Sequence, residues 1–343
     1  MDGSSIPYQL RINKAVDRIL FIELLHRINR VSNISDYSYV GFGGPYMEDF
    51  KQVHLALGIK KMVCLEMDAA VMQRQIFNYR SRHLQYVNAS STKFLQNFDP
   101  RGGHILWLDY AIPSQLGQQL MDIRKAIGVM KPLDILKVTL NANPTCISYE
   151  RPDLVKKSEE IKIMQEGRLK TFEEMTSPYA PNNLSKKDIE GNTYYKTLFS
   201  TFRNCISSVP LSADQYFQIL SAFHYKDDGH RMLTITGIIL HKSEFRNFLK
   251  KTRIGHWRYH NLSQFDPIEI NLPNLTAMER QRLDECMPLD TSPVSKYTER
   301  RVAKTLEKAL GFSIVRSKKE NEALFYNYAK YYRISPLFSR ITL

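Results

Sequence analysis

The sequence predicts an α/β fold, a parallel sheet with helices on both faces, and three observations predict it. Short apolar runs alternate with helix-length amphipathic segments between residues 38 and 141. The first run opens into a glycine-rich turn, Tyr39-Val-Gly-Phe-Gly-Gly-Pro-Tyr46. The second, Met62-Val-Cys-Leu-Glu66, ends in an acid roughly 20 residues beyond that turn. Strands buried on both faces read as near-continuous apolar runs, and their alternation with helices marks parallel βα units.

Asn13 is placed to cap a helix over 14–30, with Val16, Ile19, Leu20, Leu24 and Ile28 forming its apolar stripe. Strands are expected at 38–41, 62–66, 84–88, 105–109 and 135–141, with helices over 47–57, 69–79 and 114–127. The pattern lapses from Pro144 to Thr193, a stretch rich in Lys and Glu with turn signals at Ser177-Pro178, Ala180-Pro-Asn-Asn183 and Glu190-Gly191. It reads as an insertion of helices and loops over the strand ends. A helix resumes over 195–206, and Asp227-Asp-Gly229 between Phe223-His-Tyr225 and the run 232–240 signals a hairpin. Further on, Thr298 precedes a helix over 299–310 that Gly311 closes. The organisation is an N-terminal helical segment (1–35), a main domain (36–241) with its insertion (144–194), and a basic C-terminal α+β extension (242–343).

At 343 residues, 43% apolar and 24% charged, the composition is that of an ordinary globular protein. The start, Met1-Asp-Gly-Ser-Ser5, lacks the basic and apolar regions of a signal peptide, and no apolar run is long enough to span a bilayer. Four scattered cysteines with no C-x-x-C pair point to reduced thiols in the cytoplasm, and the nine histidines show no metal-ligand spacing. The net charge of +13 is localised: 242–258 carries six bases against one acid, and 296–343 eleven against four. These stretches hold 12 of the excess charges and point to a polyanionic partner, nucleic acid first, or else to a solvated basic face.

On the turn, the acid and the hairpin together, the chain resembles the class I S-adenosylmethionine-dependent methyltransferases over residues 36–241, the insertion apart. The resemblance implies a seven-stranded Rossmann-like sheet whose last two strands form a hairpin, and S-adenosyl-L-methionine as cofactor. It places Gly41, Phe42, Gly43 and Gly44 under the cofactor's methionine and ribose part, and Glu66, followed by Met67, at the ribose hydroxyls. Ala89 and Ser90 of Asn88-Ala89-Ser90 fall at the adenine. Asp109, ending Ile105-Leu-Trp-Leu-Asp109, faces donor and acceptor, with Tyr110 beside it. The turn reads Gly41-Phe-Gly-Gly-Pro45 rather than G-x-G-x-G. Strand four continues Asp109-Tyr-Ala-Ile-Pro113 rather than D-P-P-Y, which turns the expectation away from amino-methylation of adenine or cytosine.

Methyl transfer from a sulfonium needs chiefly alignment, and a base only where the acceptor must lose a proton. Asp109 and Tyr110 are the catalytic candidates. Lys137 lies inside strand five, where a Lys–Asp pairing is similar to that of ribose 2′-hydroxyl methyltransferases, and Cys146 is read as a packed thiol. In 245–259, rings alternate with cations: as a surface this suits base stacking with phosphate contact, as a helix it packs Phe245, Phe248 and Leu249 inward. Phe325, Tyr328 and Tyr332 repeat at helical spacing and are expected in a core. The expected activity is methyl transfer to an oxygen or nitrogen of a nucleic acid or other polyanion. The alternatives are a methyltransferase-like regulatory module without catalysis and, disfavoured by the turn and hairpin, a nicotinamide oxidoreductase. A protein partner and the oligomeric state stay open.

Overall fold

The computed structural model describes residues 11–149, 159–227 and 229–336. Parts of three expected elements therefore lie outside the described residues: 1–10 of the N-terminal segment, 150–158 of the insertion and 337–343 of the basic tail, along with Asp228 of the hairpin turn.

In chain order the helices and strands are α1 (Ile12–Ile28), β1 (Ser38–Phe42), α2 (Glu48–Leu57), β2 (Lys61–Leu65), α3 (Ala69–Asn78), β3 (Leu84–Val87), α4 (Ser91–Gln96) and β4 (His104–Asp109). They continue as α5 (Leu116–Val129), β5 (Ile135–Asn141), α6 (Glu160–Thr176), α7 (Tyr194–Ser207), β6 (Gln215–Asp227), β7 (His230–His241) and α8 (Phe245–Thr252). The last are β8 (Ile268–Ile270), α9 (Ala277–Asp284), α10 (Lys296–Leu310) and α11 (Lys318–Tyr331). The strand order is β3-β2-β1-β4-β5-β7-β6-β8, eight strands where seven are expected. β1 to β5 pair in parallel, and β7 runs antiparallel to β5 from Ile135↔Ile238 to Asn141↔Met232. Gly229 holds φ at +82° in the β6–β7 turn, a conformation that a residue without Cβ adopts at no steric cost.

The described chain divides into two compact units. The larger one comprises residues 21–224 and 229–268. Side chains alternate across its sheet, as the strand period demands. On β4, Leu106 and Leu108 enter the apolar core with Leu120, Ile123 and Ile127 of α5 and Leu198 and Phe202 of α7. Trp107 points to the other face, edge-on to Phe21 of α1 at 5.2 Å, where Tyr39 meets Phe50 of α2 at 5.0 Å. The second unit contains 269–336 with short pieces from 11–20 and 225–227. Its core joins Leu283, Val302, Leu306, Phe325 and Tyr328, and Tyr328 Oη donates to Asp284 Oδ1 at 2.5 Å.

Two expected caps differ. Asn13 sits inside α1, donating to the Lys226 carbonyl (3.0 Å) and accepting from Leu272 N (2.9 Å), so long-range partners replace the local cap. On α10 it is Ser295, not Thr298, whose hydroxyl accepts the orphan N–H, from Thr298 N at 3.1 Å.

Candidate active site

The carboxyl ends of β1, β2, β3 and β4 bring the predicted residues to one edge of the sheet. In open α/β sheets that edge, beyond the strand tips, is where ligands bind. Gly41 and Phe42 end β1, and Gly43 and Gly44 follow before α2 begins. At Gly41 and Gly43 a side chain would meet the protein itself. A Cβ on Gly43 would lie 2.4 Å from Met47 Sδ and 2.8 Å from Cys64 Sγ, and one on Gly41 would lie 3.3 Å from the Trp107 carbonyl oxygen. At these two positions the missing side chain makes room for the protein's own packing beneath the turn.

Glu66 lies one residue past β2, half-buried. Its Oε1 accepts from Asp68 N at 2.9 Å, and its Oε2 accepts from Gln75 Nε2 at 3.2 Å. Each carboxylate oxygen offers about two lone-pair sites, so both keep capacity for a vicinal hydroxyl pair. Asp68 caps α3, its Oδ1 accepting from Ala70 N (2.8 Å) and Val71 N (3.1 Å). The neighbouring Met67 is exposed at 63%. Asn88 Nδ2 donates to the carbonyls of Glu66 (2.8 Å) and Met67 (3.2 Å), pinning the β3 tip to the β2 tip. Ala89 and Ser90 follow, and the Ser90 hydroxyl is committed to capping α4, accepting from Lys93 N at 3.2 Å.

Gln75 carries no signal in the sequence. It is fully buried, and its amide nitrogen donates to the Gly43 carbonyl as well as to Glu66, while its oxygen accepts from Cys64 Sγ at 3.5 Å. One side chain thus couples the turn to the acid. Burial pushes the Cys64 thiol up to about 12, Glu66 adding to the rise and the Gly43 backbone opposing it, so Cys64 serves as a protonated donor.

Asp109 and Tyr110, named together as catalytic candidates, part company at the end of β4. Adjacent residues on an extended strand face opposite sides. The Tyr110 backbone still pairs with the Thr139 carbonyl at 3.0 Å, and its buried ring packs edge-on to Phe42 at 5.6 Å. The Tyr110 hydroxyl donates to Asp122 Oδ2 at 3.2 Å, an oxygen that also takes Ser91 Oγ at 2.7 Å and Thr92 Oγ1 at 3.0 Å. Burial first, then the Asp122 carboxylate, raises its pKa well above the usual phenol range. Tyr110 therefore braces α4 and α5 beneath the strand tip, whereas Asp109 is the half-buried last residue of β4. Lys137 lies within β5 rather than at its tip, its Nζ 4.5 Å from the Trp107 ring and 4.8 Å from the Phe21 ring.

The donor set at β1 and β2 fits S-adenosylmethionine: a half-buried carboxylate with lone pairs to spare at the β2 tip, beside the backbone of the β1 turn. A cavity of about 750 Å³ lies at the opposite edge, between Ser207 of α7, Gln215 at the start of β6 and Lys242 after β7. It sits at the amino ends of the parallel strands, away from this constellation.

No group of three or more metal-ligating side chains occurs among the described residues, and no helix among them is long and apolar enough to cross a membrane. No curated protein matches the sequence. Among solved structures, the chain is similar to the N-methyltransferase NodS from Bradyrhizobium japonicum WM9, at 8% identity and a TM-score of 0.38, covering 66% of this chain and 97% of that one. Cofactor-bound Rv0187 from MTB is similar at 11% identity and a TM-score of 0.36, covering 64% and 77%. The sequence from residue 6 to 343 matches the family described as "Putative O-methyltransferase"; the chain belongs to that family, and it is a class I methyltransferase whose cofactor is S-adenosylmethionine.

Proposed function

We propose that the enzyme transfers a methyl group to an oxygen of a polyanionic substrate, nucleic acid first, with Asp109 as the proton acceptor where that oxygen is a hydroxyl. The bound cofactor supplies an electrophilic methyl on a sulfonium. With a hydroxyl acceptor placed at the β4 tip, the Asp109 carboxylate would take up the proton that the oxygen gives up on methylation. Glu66 and the 41–44 turn fix the donor, which lets alignment supply much of the acceleration.

The observation carrying the substrate class is a division of labour in 242–258. Lys242, Arg246, Lys250, Lys251, Arg253 and Arg258 are exposed, whereas Phe248, Trp257 and Tyr259 are buried. Rings placed in this way build core rather than a stacking surface, and the exposed cations beside them support phosphate contact. Arg27, paired with Glu23 in the last turns of α1, and Arg30 just past that helix lie alongside. Arg27 Nη1 and Arg30 Nη1 reach the carbonyls of Arg253 and Thr252, each at 3.4 Å. Contacts from a surface of this kind are electrostatic and independent of base sequence. The four cysteines are free thiols, which supports a reducing, cytoplasmic setting.

Labelled donor offered with bulk RNA, DNA or protein tests the reading. Label in nucleic acid that falls steeply with added salt, and falls again in Lys250→Gln/Lys251→Gln/Arg253→Gln, is expected. Label that enters only protein, or is indifferent to salt, contradicts it.

A further inference from the structure

Past β5 the chain turns through Asn143-Pro144-Thr145, and the sheet edge there carries a cavity of about 170 Å³. Arg231, at the start of β7, accepts Ala142 N on its carbonyl at 2.7 Å, which fixes this cavity at the carboxyl end of β5. Asp109 pairs with Thr139, two residues before the end of the same strand. In the strand order, Asp109 thus lies between the Gly41–Glu66 side and the cavity.

Three cations line the cavity, Arg168 from α6, Lys186 and Arg231, against one acid, Glu190. Two of these four groups are already matched. Lys186 Nζ is 2.5 Å from Glu166 Oε1, and Glu190 Oε1 accepts from Gln165 Nε2 at 2.8 Å. The arginines are not. Arg231 gives Nη2 to the neutral Asn192 Oδ1 at 2.9 Å. Arg168 lies over the Tyr149 ring at 5.9 Å, and its buried Nε has no hydrogen-bond partner among the described residues. Tyr149 can come so close because its Cβ would stand 2.7 Å from a Cβ on Gly167. Neither arginine has a carboxylate within ion-pair distance among the described residues.

A buried guanidinium donor without an acceptor is costly, and its planar fork matches the two oxygens of a carboxylate or phosphate. We propose that Arg168 and Arg231 form an oxyanion subsite that seats a carboxylate or phosphate of the methyl acceptor. The size suits a head group: at roughly 30 Å³ per water the cavity holds about six waters, well below the volume of a whole-ligand pocket. The assignment rests on the reading of Asp109 as the transfer point, since it supplies the second point that would aim the acceptor there.

The test titrates inorganic phosphate, and separately benzoate, into the full-length protein saturated with S-adenosylhomocysteine, followed by NMR. Saturable binding of at least one is expected, weakened about tenfold or more in Arg168→Gln and in Arg231→Gln. Arg168→Lys, which keeps charge but not the fork, should recover part of the loss. S-adenosylhomocysteine affinity should be the same in every variant, which also certifies their folding. Which probe binds tells phosphate from carboxylate. No saturable binding of either, or binding that all three variants leave unchanged, overturns the subsite. Intact oxyanion binding together with a full transfer rate in Asp109→Ala would instead remove Asp109 and leave the subsite standing.

Discussion

Gln75 Nε2 donates to Glu66 Oε2 across 3.2 Å from a side chain with no exposed surface. The same amide nitrogen serves the Gly43 carbonyl, so the acid that ends β2 and the turn that ends β1 are held by one buried group on α3. A carboxylate clamped in this way has little rotamer freedom left to lose when it takes a ligand.

Removing the acid should therefore cost more than removing its clamp. Hydrogen bonds to a charged group contribute about 1.5–3 kcal/mol each. Glu66→Ala is expected to weaken S-adenosylhomocysteine at least tenfold, and Gln75→Leu by a few-fold together with a lower Tm, because the Gly43 carbonyl loses its partner. Calorimetry and thermal melting read both, and an unchanged affinity in Glu66→Ala would refute its ribose role.

Gly43→Ala tests whether the turn is tight on the protein side. With Met47 Sδ at 2.4 Å and Cys64 Sγ at 2.8 Å from the new methyl, both fully buried, the variant should lose about 1–3 kcal/mol of stability. Gly191→Ala, which meets nothing within 4 Å, is the matched control and should melt close to wild type.

The division between Asp109 and Tyr110 makes opposite predictions for neighbouring residues. Tyr110→Phe removes one hydroxyl from an Asp122 that keeps Ser91, Thr92 and Gln118 as donors, so the loss should be about 1 kcal/mol of stability with methyl transfer largely intact. Asp109→Ala should remove most of the transfer to a hydroxyl acceptor. Single-turnover rates beside melting curves separate the two, and a collapse of transfer in Tyr110→Phe would restore the tyrosine to the catalytic role.

Thiol chemistry offers an independent check on the packing. Cys64 and Cys205 are buried, and burial is the main cause that pushes both up to about 12. At neutral pH each stays a protonated thiol and is a poor nucleophile. Alkylation of the native protein should mark the half-exposed Cys146 and Cys286 first, with Cys64 and Cys205 reacting only on unfolding. Peptide mapping that finds Cys64 labelled early would mean that the floor of the turn is open.

The βα units were legible because each strand is an apolar run that both faces bury, and β5 was expected with the bounds it has. The hairpin strands were seen only in part: Gln215-Tyr-Phe-Gln-Ile-Leu220 mixes polar and apolar residues, so the start of β6 does not read as a continuous apolar run. The six residues of α4 and the three of β8 are too short to show a period. Phe325 and Tyr328 lie in the core of the second unit, as their helical spacing predicts. At the site, glycines and strand-end acids announce themselves by type and place. Gln75 does not, since a glutamine on a helix reads as solvent-facing, and only the close approach of β1 and β2 gives it two acceptors. The pairing of Arg168 with Arg231 was equally hidden, 63 residues apart, one from the insertion and one from a strand start.

A crystal structure with S-adenosylhomocysteine bound tests the central claim most directly. Both ribose hydroxyls are predicted within hydrogen-bonding distance of the Glu66 carboxylate, with the sulfur above the 41–44 turn and directed at Asp109. An adenosyl group found elsewhere, or a ribose that Glu66 does not touch, would contradict it.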